Sequence, residues 1–362
     1  MAADMIHFPM YRSGIAWMSA AALLVGGCTT DRIAAPDAGA VPALPRPLAD
    51  PARLIVPTYD GSGQAVEPDV LYFATAWHGW TYWMVMAPYP AGDGRMENPS
   101  ILVSQNGRQW VVPPGVSNPI VGPPANGINS DPTLLYDRRS DRLVVSYREV
   151  SGGLNSINGT SSPDGISWSP PRRFFSAAQH NIVGQTLTMR DGVRPVAWSV
   201  NSGPSGCSSR SSRLERRVGT GVAAVGPAAT RASWSPPSVV ALSQPGFVIW
   251  HINIVYVPEK QEYWAVYAAY RPADGCGKCE LFFARSSDGE TWRTYSGPFL
   301  RTGFSGWSDA SLYAASLVFN SSSDRLTVWF SARSRTDVWS LGIVEYPFAD
   351  FLRTMQTRRT TY

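Results

Sequence analysis

The chain carries little charge of either sign: 31 Lys and Arg against 27 Asp and Glu in 362 residues leave 16% charged content and a net +4. Basic residues so few and so scattered give no electrostatic footprint for nucleic acid, and that partner class is excluded. Four cysteines are too few for a disulfide-dense scaffold. No apolar run is long enough to cross a bilayer comfortably, and no phosphate loop, nucleotide motif or Gly-x-Ser-x-Gly elbow occurs. Apolar and turn-forming residues are abundant instead: 44% hydrophobic content, 14 Trp, 15 Tyr, 32 Gly and 30 Pro. That much apolar material builds a large core and excludes general disorder. The Gly and Pro punctuation argues against long helices and for many short strands joined by tight turns.

Residues 14 to 27, GIAWMSAAALLVGG, form an apolar run behind Arg12 and ahead of Cys28, bounded like a secretory signal. Val25-Gly26-Gly27-Cys28 matches the bacterial lipobox, in which small residues admit the signal peptidase and the cysteine thiol takes a diacylglycerol. An ordinary signal peptide with a chance cysteine is the alternative. The following stretch is rich in Ala and Pro with no apolar period, as a tether should be. The expected organisation is a lipoprotein signal over 1–27, a tether over 28–52 and one folded domain over 53–362. Lipidation at Cys28 would hold a monomer to the cell envelope, and Thr29, not Asp, gives no signal for inner-membrane retention.

A strand, turn, strand pattern recurs along the domain. Asp131 to Tyr136, a turn at Arg138 to Asp141, and Arg142 to Arg148 form one copy. Ser316 to Phe319 with Arg325 to Phe330, Asn253 to Tyr256 with Glu262 to Tyr267, and Val70 to Phe73 with Tyr82 to Met86 are others. A fifth, Thr186 to Met189 with Val193 to Val200, turns at Asp191-Gly192 and is the least regular. Three hairpins are followed by Ser-x-[Asp/Asn]-Gly-x-x-Trp: Ser104 to Trp110, Ser162 to Trp168 and Ser286 to Trp292. In such an Asp-box turn the carboxylate or amide caps backbone N–H groups, Gly supplies positive φ and Trp anchors the loop. Three in register with a repeated hairpin predict an all-β fold, a five-bladed β-propeller of four-stranded antiparallel blades at roughly 60 residues each. Arg53 to Pro57 is expected to close the ring as an outer strand beside Trp339 to Glu345.

The Asp-boxes resemble those of sialidase and BNR-repeat propellers, and the five-blade count resembles the arabinanase and fructosidase clan of glycoside hydrolases. Tyr82-Trp-Met84 with Pro88-Tyr-Pro90, Glu97-Asn-Pro-Ser-Ile101, Ser130-Asp-Pro132, Tyr147-Arg-Glu149 and Trp250-His251 resemble a group of bacterial and phage sialidase-like propellers, from about Tyr59 to Pro347. At four polar positions of that group this chain reads Glu67-Pro68, Trp250-His-Ile-Asn253, Leu312-Tyr-Ala-Ala315 and Trp339-Ser-Leu-Gly342. The resemblance implies glycoside hydrolysis. A sialidase would also need an Arg triad with a Tyr and Glu nucleophile pair, and its Phe-Arg-Ile-Pro start is missing, so a more general glycosidase is expected.

Propeller topology places the start of each inner strand and the end of the next strand on one face. Aligned hairpins put Glu67, Asp131, His251 and Ala314 at equivalent positions around the channel mouth. Strand ends add Arg148, Glu149, Arg271 and Arg333, the third strand of blade one adds Glu97, and a loop adds Asp309. Hydrolysis of a glycoside needs one carboxyl to protonate the leaving oxygen and another to activate water or attack. Asp131 is assigned as base or nucleophile, Glu97 or Glu149 as acid, and Glu67 and Asp309 as substitutes. Arg148, His251, Arg271, Arg333 and Trp307 are candidate carbohydrate-binding residues, Trp307 as a sugar platform. Structural alternatives exist for each: Asp131-Pro132 as turn chemistry, Arg148 with Glu149 as a surface ion pair, His251 as a satisfied wall residue. An exported protein favours a disulfide, from Cys207 to Cys276 or Cys279. No zinc-type ligand set is complete, so no metal or other cofactor is expected beyond an optional structural ion in the channel. The rival functional class is a non-catalytic glycan-binding propeller.

Overall fold

The computed structural model describes residues 43–357 except 179, 191, 193, 222–224, 227–228 and 230–232. The expected signal segment 1–27, Cys28, most of the tether and the turn residue Asp191 lie outside the described residues. Among the described residues there are nineteen strands and one α-helix, and the strands pair antiparallel almost throughout. After the short β1 (Ala52–Leu54), blade one comprises β2 (Ala65–Trp77), β3 (Trp80–Pro88) and β4 (Ser100–Ser104), with Val103 bridged to Val111 in place of a full outer strand. Blade two holds β5 (Gly127–Asp137), β6 (Arg142–Ser151), β7 (Leu154–Ser162) and β8 (Arg172–Ala178). Blade three holds β9 (Gly184–Met189), β10 (Pro195–Asn201), β11 (Arg213–Val218) and β12 (Ser238–Val240). Blade four holds β13 (Val248–Val257), β14 (Glu262–Tyr270), β15 (Cys279–Ser286) and β16 (Arg293–Thr294). Blade five holds β17 (Ser311–Asn320), β18 (Arg325–Arg333) and β19 (Trp339–Pro347), and β1 returns to its edge with Arg53 opposite Gly342. The inner strands β2, β5, β9, β13 and β17 touch in turn, and β17 comes back against β2. The fold is therefore a β-propeller.

The three Ser-x-[Asp/Asn]-Gly turns do more than reverse the chain. Asn106 Oδ1, Asp164 Oδ1 and Asp288 Oδ1 each accept two backbone N–H groups at 2.7–2.9 Å. Each turn glycine has φ between +71° and +76° and lies against a buried Trp of the preceding blade: Gly107 on Trp329, Gly165 on Trp83, Gly289 on Trp198. A Cβ at Gly165 would sit 2.1 Å from the Trp83 ring. Trp329 and Trp198 also donate Nε1–H to the carbonyls of Gly107 and Gly289. Blade-to-blade packing thus passes through positions where only glycine fits.

One element was not foreseen. The last described segment is a helix, α1 (Phe348–Thr357), which buries Phe348, Phe351 and Met355, and Phe348 stacks on Trp264 at 4.3 Å. The apolar spacing of three and four residues was legible as helical period.

Candidate active site

Each inner strand except β9 is irregular near its start. The pairing skips Glu67-Pro68 in β2, Asp131-Pro132 in β5, Trp250 in β13 and Tyr313-Ala314 in β17. Such bulges re-aim side chains and accommodate proline, which has no N–H for the ladder. Glu67 and Asp131 take φ of +59° and +50°. A non-glycine residue in that region, before a proline, is strained by about 1–3 kcal/mol, so the surrounding structure must hold it there. It does so across blades. Glu67 N–H donates to Ser331 Oγ (2.8 Å), and Asp131 N–H donates to Glu67 Oε2 (2.7 Å). Gln185 Nε2 donates to the Asp131 carbonyl (2.8 Å).

Around this ring the buried Glu67, Glu97, Asp131 and His251 meet Arg148 and Tyr313. Arg148 Nε lies 2.6 Å from Asp131 Oδ2 and 2.9 Å from Ser130 Oγ, while its Nη1 donates to the Ile182 carbonyl (3.1 Å). His251 Nδ1 lies 2.9 Å from Asp131 Oδ1, and the His251 ring sits 4.1 Å from that of Tyr313. Among the described residues His251 Nε2 is buried without a hydrogen-bond partner, and Asp131 Oδ1 has none besides the His251 nitrogen beside it. Glu97 is carried on the loop into β4, where Tyr59 donates to the Met96 carbonyl (2.8 Å) and Asn98 Nδ2 donates to Tyr59 Oη (2.9 Å). The ring encloses a neck cavity of about 30 Å³ lined from all five blades, room for little more than water.

Burial, then the Asp131 charge, pushes the Glu67 carboxyl well above the usual carboxylate range. Burial and Asp131 likewise lift Glu97 to about 8. Asp131 goes the other way: burial alone would raise it, but Arg148 and His251 hold it well below the ordinary value. Burial, then the Glu67 charge, pushes Tyr313 far up, so its hydroxyl stays a donor. The site combines one ionised carboxylate with two carboxyls that keep protons near neutrality.

Glu67, Asp131 and His251 each offer a ligand atom, all within 4.8 Å of one another. A mixed oxygen and imidazole set with His251 Nε2 buried and unpartnered among the described residues suits a divalent transition metal or zinc. Glu67 would give up its proton on holding such a cation.

Other sequence candidates lie elsewhere. Glu149 is next to Arg148 on β6, so strand alternation turns it away from the channel, where Asn158 Nδ2 donates to it at 2.9 Å. Asp309 accepts the Arg335 N–H at 2.8 Å and fixes a loop. The Arg271 guanidinium covers the Phe247 ring. Trp307, half-buried, stacks on Phe330 over the slot left by Gly342. Arg333 stays near the site rim: it pairs with Asp337 at 2.8 Å, donates to the Gly277 carbonyl at 3.0 Å and lies over Trp339, whose ring contacts Tyr89 and Tyr313. Tyr313, Gln185 and Tyr89 were missed by sequence. The first neighbours the aligned Ala314, and Gln185 precedes the least regular hairpin. Cys207 and Cys276 form the disulfide, leaving Cys279 buried and free.

No family model matches the chain. The chain is 24% identical over 365 residues to the A type blood N-acetyl-alpha-D-galactosamine deacetylase of Flavonifractor plautii, across 81% of this chain. It spans 46%, about half, of the length of that curated relative. Among solved structures it is similar to an N-acetylgalactosamine deacetylase from F. plautii in complex with blood group B trisaccharide. That likeness has TM-score 0.73 and 22% identity, covering 84% of this chain and 96% of that one. The catalytic domain of the Coprinopsis cinerea GH62 α-L-arabinofuranosidase matches at TM-score 0.55 and 15% identity, covering 84% and 98%. A thermostable family-43 glycoside hydrolase matches at 0.53 and 14%, covering 77% and 88%. At these identities the structural likeness defines the class, a propeller of the architecture used by glycoside hydrolases.

Proposed function

We propose that the chain is a carbohydrate-active hydrolase and that the bond it breaks is the N-acyl amide of an acetamido sugar. The observation that carries this reading is the ionised Asp131, set between Arg148 and His251, beside the proton-holding Glu67 and Glu97 at the channel neck. Amide hydrolysis needs an activated water, a donor for the developing oxyanion and an acid for the leaving nitrogen. Asp131, fixed by Arg148, orients the attacking water, and the ionised fraction of Glu97 takes its proton. Tyr313 O–H donates to the oxyanion, and Glu97 delivers a proton to the amine. Glu67, Asp131 and His251 would hold a divalent cation, which when bound supplies Lewis acidity and a more acidic water. The F. plautii deacetylases are the relatives that favour the amide over the glycosidic bond.

A glycosidase is the second reading, favoured by the same juxtaposition of an ionised carboxylate with a protonated one. Incubating the purified chain with acetylated and non-acetylated glycans separates them. Acetate release with intact glycosidic bonds supports the deacylase, released sugar supports the glycosidase, and binding without either product leaves a glycan-binding propeller. We also propose that Cys28 anchors the chain to the cell envelope, tested by labelled fatty-acid incorporation into the wild type and its absence in Cys28→Ala.

A further inference from the structure

We propose a second ligand site at the far end of the central channel, one that takes an acidic saccharide. It does not depend on the reaction assigned above. The inner strands run away from the neck, and by five residues on, about 17 Å at ~3.3 Å per residue, they line a separate cavity. Its volume is about 670 Å³, within the range of small-ligand sites. Asp69 and Asn253 border both this cavity and the neck, so they form the floor between them.

Three observations set the ligand class. The cavity is lined by Arg138, Arg139 and Arg190 from the hairpins of two neighbouring blades, and among the described residues none of them is ion-paired with a carboxylate. The Arg190 guanidinium instead lies over the Tyr256 ring and hydrogen-bonds the Tyr263 side chain. Below them, Thr188 Oγ1 and Asn253 Oδ1 are buried, border the cavity and have no hydrogen-bond partner among the described residues. Buried polar atoms of this kind are normally satisfied, and ligand hydroxyls would satisfy them. Tyr72, Tyr136 and Tyr256 add aromatic wall to which the apolar side of a sugar ring can pack. A hydrocarbon chain would leave Thr188 and Asn253 unpaired, and a neutral glycan would leave the Arg138 and Arg139 guanidinium groups unused. A sugar bearing carboxylate, sulfate or phosphate meets all three demands.

The test is calorimetric titration of the full chain with trigalacturonate and, separately, with neutral maltotriose. Trigalacturonate is expected to bind saturably, at least about tenfold more weakly to Arg138→Ala/Arg139→Ala/Arg190→Ala. The affinity of Asp131→Asn, altered only at the other end of the channel, stays at the wild-type value. The three arginines are exposed, so thermal melts of the triple variant should match wild type, and Thr188→Val provides a second, isosteric probe that weakens binding. Equal affinity for maltotriose, loss of binding in Asp131→Asn, or no saturable binding below about 10 mM would each overturn the proposal. A wild type that binds trigalacturonate but releases no acetate from any substrate would sink the deacylase reading and leave this site standing.

Discussion

Replacing Glu97 by Gln should make the protein more stable and less active, and the gain should grow with pH. The carboxyl is buried and its value is lifted from 4.5 to about 8 by burial and then by the Asp131 charge. Between those values the native state keeps a proton that the unfolded chain has lost, so stability falls as pH rises through the window. At ~1.4 kcal/mol per pH unit the upper bound is on the order of 5 kcal/mol. Glu67 shares the same local field, which brings the expectation for Glu97 alone to about 2–3 kcal/mol. Glutamine keeps the shape and removes the titration. Thermal melts of chelator-treated wild type and Glu97→Gln from pH 5 to pH 9 should coincide most closely at the acid end. They should then separate by roughly 5 °C above pH 8. Turnover should drop by about 10²-fold or more at every pH, because the proton donor is gone. Parallel melting curves, or a gap that is widest at pH 5, would show that Glu97 is not a carboxyl held protonated beside Asp131.

The remaining expectations concern the frame and the cation. Gly165→Ala, which needs φ of +74° and puts a methyl group into the Trp83 ring, should cost about 3 kcal/mol in urea unfolding with an unchanged m value. In the same turn, burial would raise Asp164, but the N–H groups of Ser167 and Ile166 outweigh it and hold the carboxyl at about 2. Its contribution is complete above the ordinary value of 3.8 and is lost as pH falls toward 2, so Asp164→Ala should flatten acid unfolding over that interval. Chelation should abolish turnover and a divalent transition metal should restore it, whereas His251→Ala should fail to recover at any metal concentration that leaves its fold intact by circular dichroism.

Repetition made the frame legible. The hairpins and Ser-x-[Asp/Asn]-Gly turns are local chemistry, and β1 closing on β19 follows from strand-forming sequence ahead of the first repeat. The site was legible where the aligned repeat was: Glu67, Asp131 and His251 stand at equivalent starts of inner strands. Glu97 and Arg148 also lie where strand ends and starts were placed. What failed was orientation. Arg148 and Glu149 are adjacent on one strand, so only one of them can face the channel, and the hydrogen bond from Asn158 shows that Glu149 is the one turned away. Nothing local to Trp307 reveals that Gly342, far along the chain, leaves a slot against which its ring packs. Tyr313 escaped because the repeat aligns Ala314, whereas the bulge in β17 also brings the Tyr313 ring against His251.

The most direct measurement of the central claim is mass spectrometry of an N-acetylgalactosamine-terminated oligosaccharide after incubation with the wild type and with Asp131→Asn. The account predicts loss of one acetyl group from the intact oligosaccharide with wild type, matched by free acetate, and no change with Asp131→Asn. A shortened oligosaccharide with its acetyl groups retained, or deacetylation that proceeds equally well in Asp131→Asn, would contradict it.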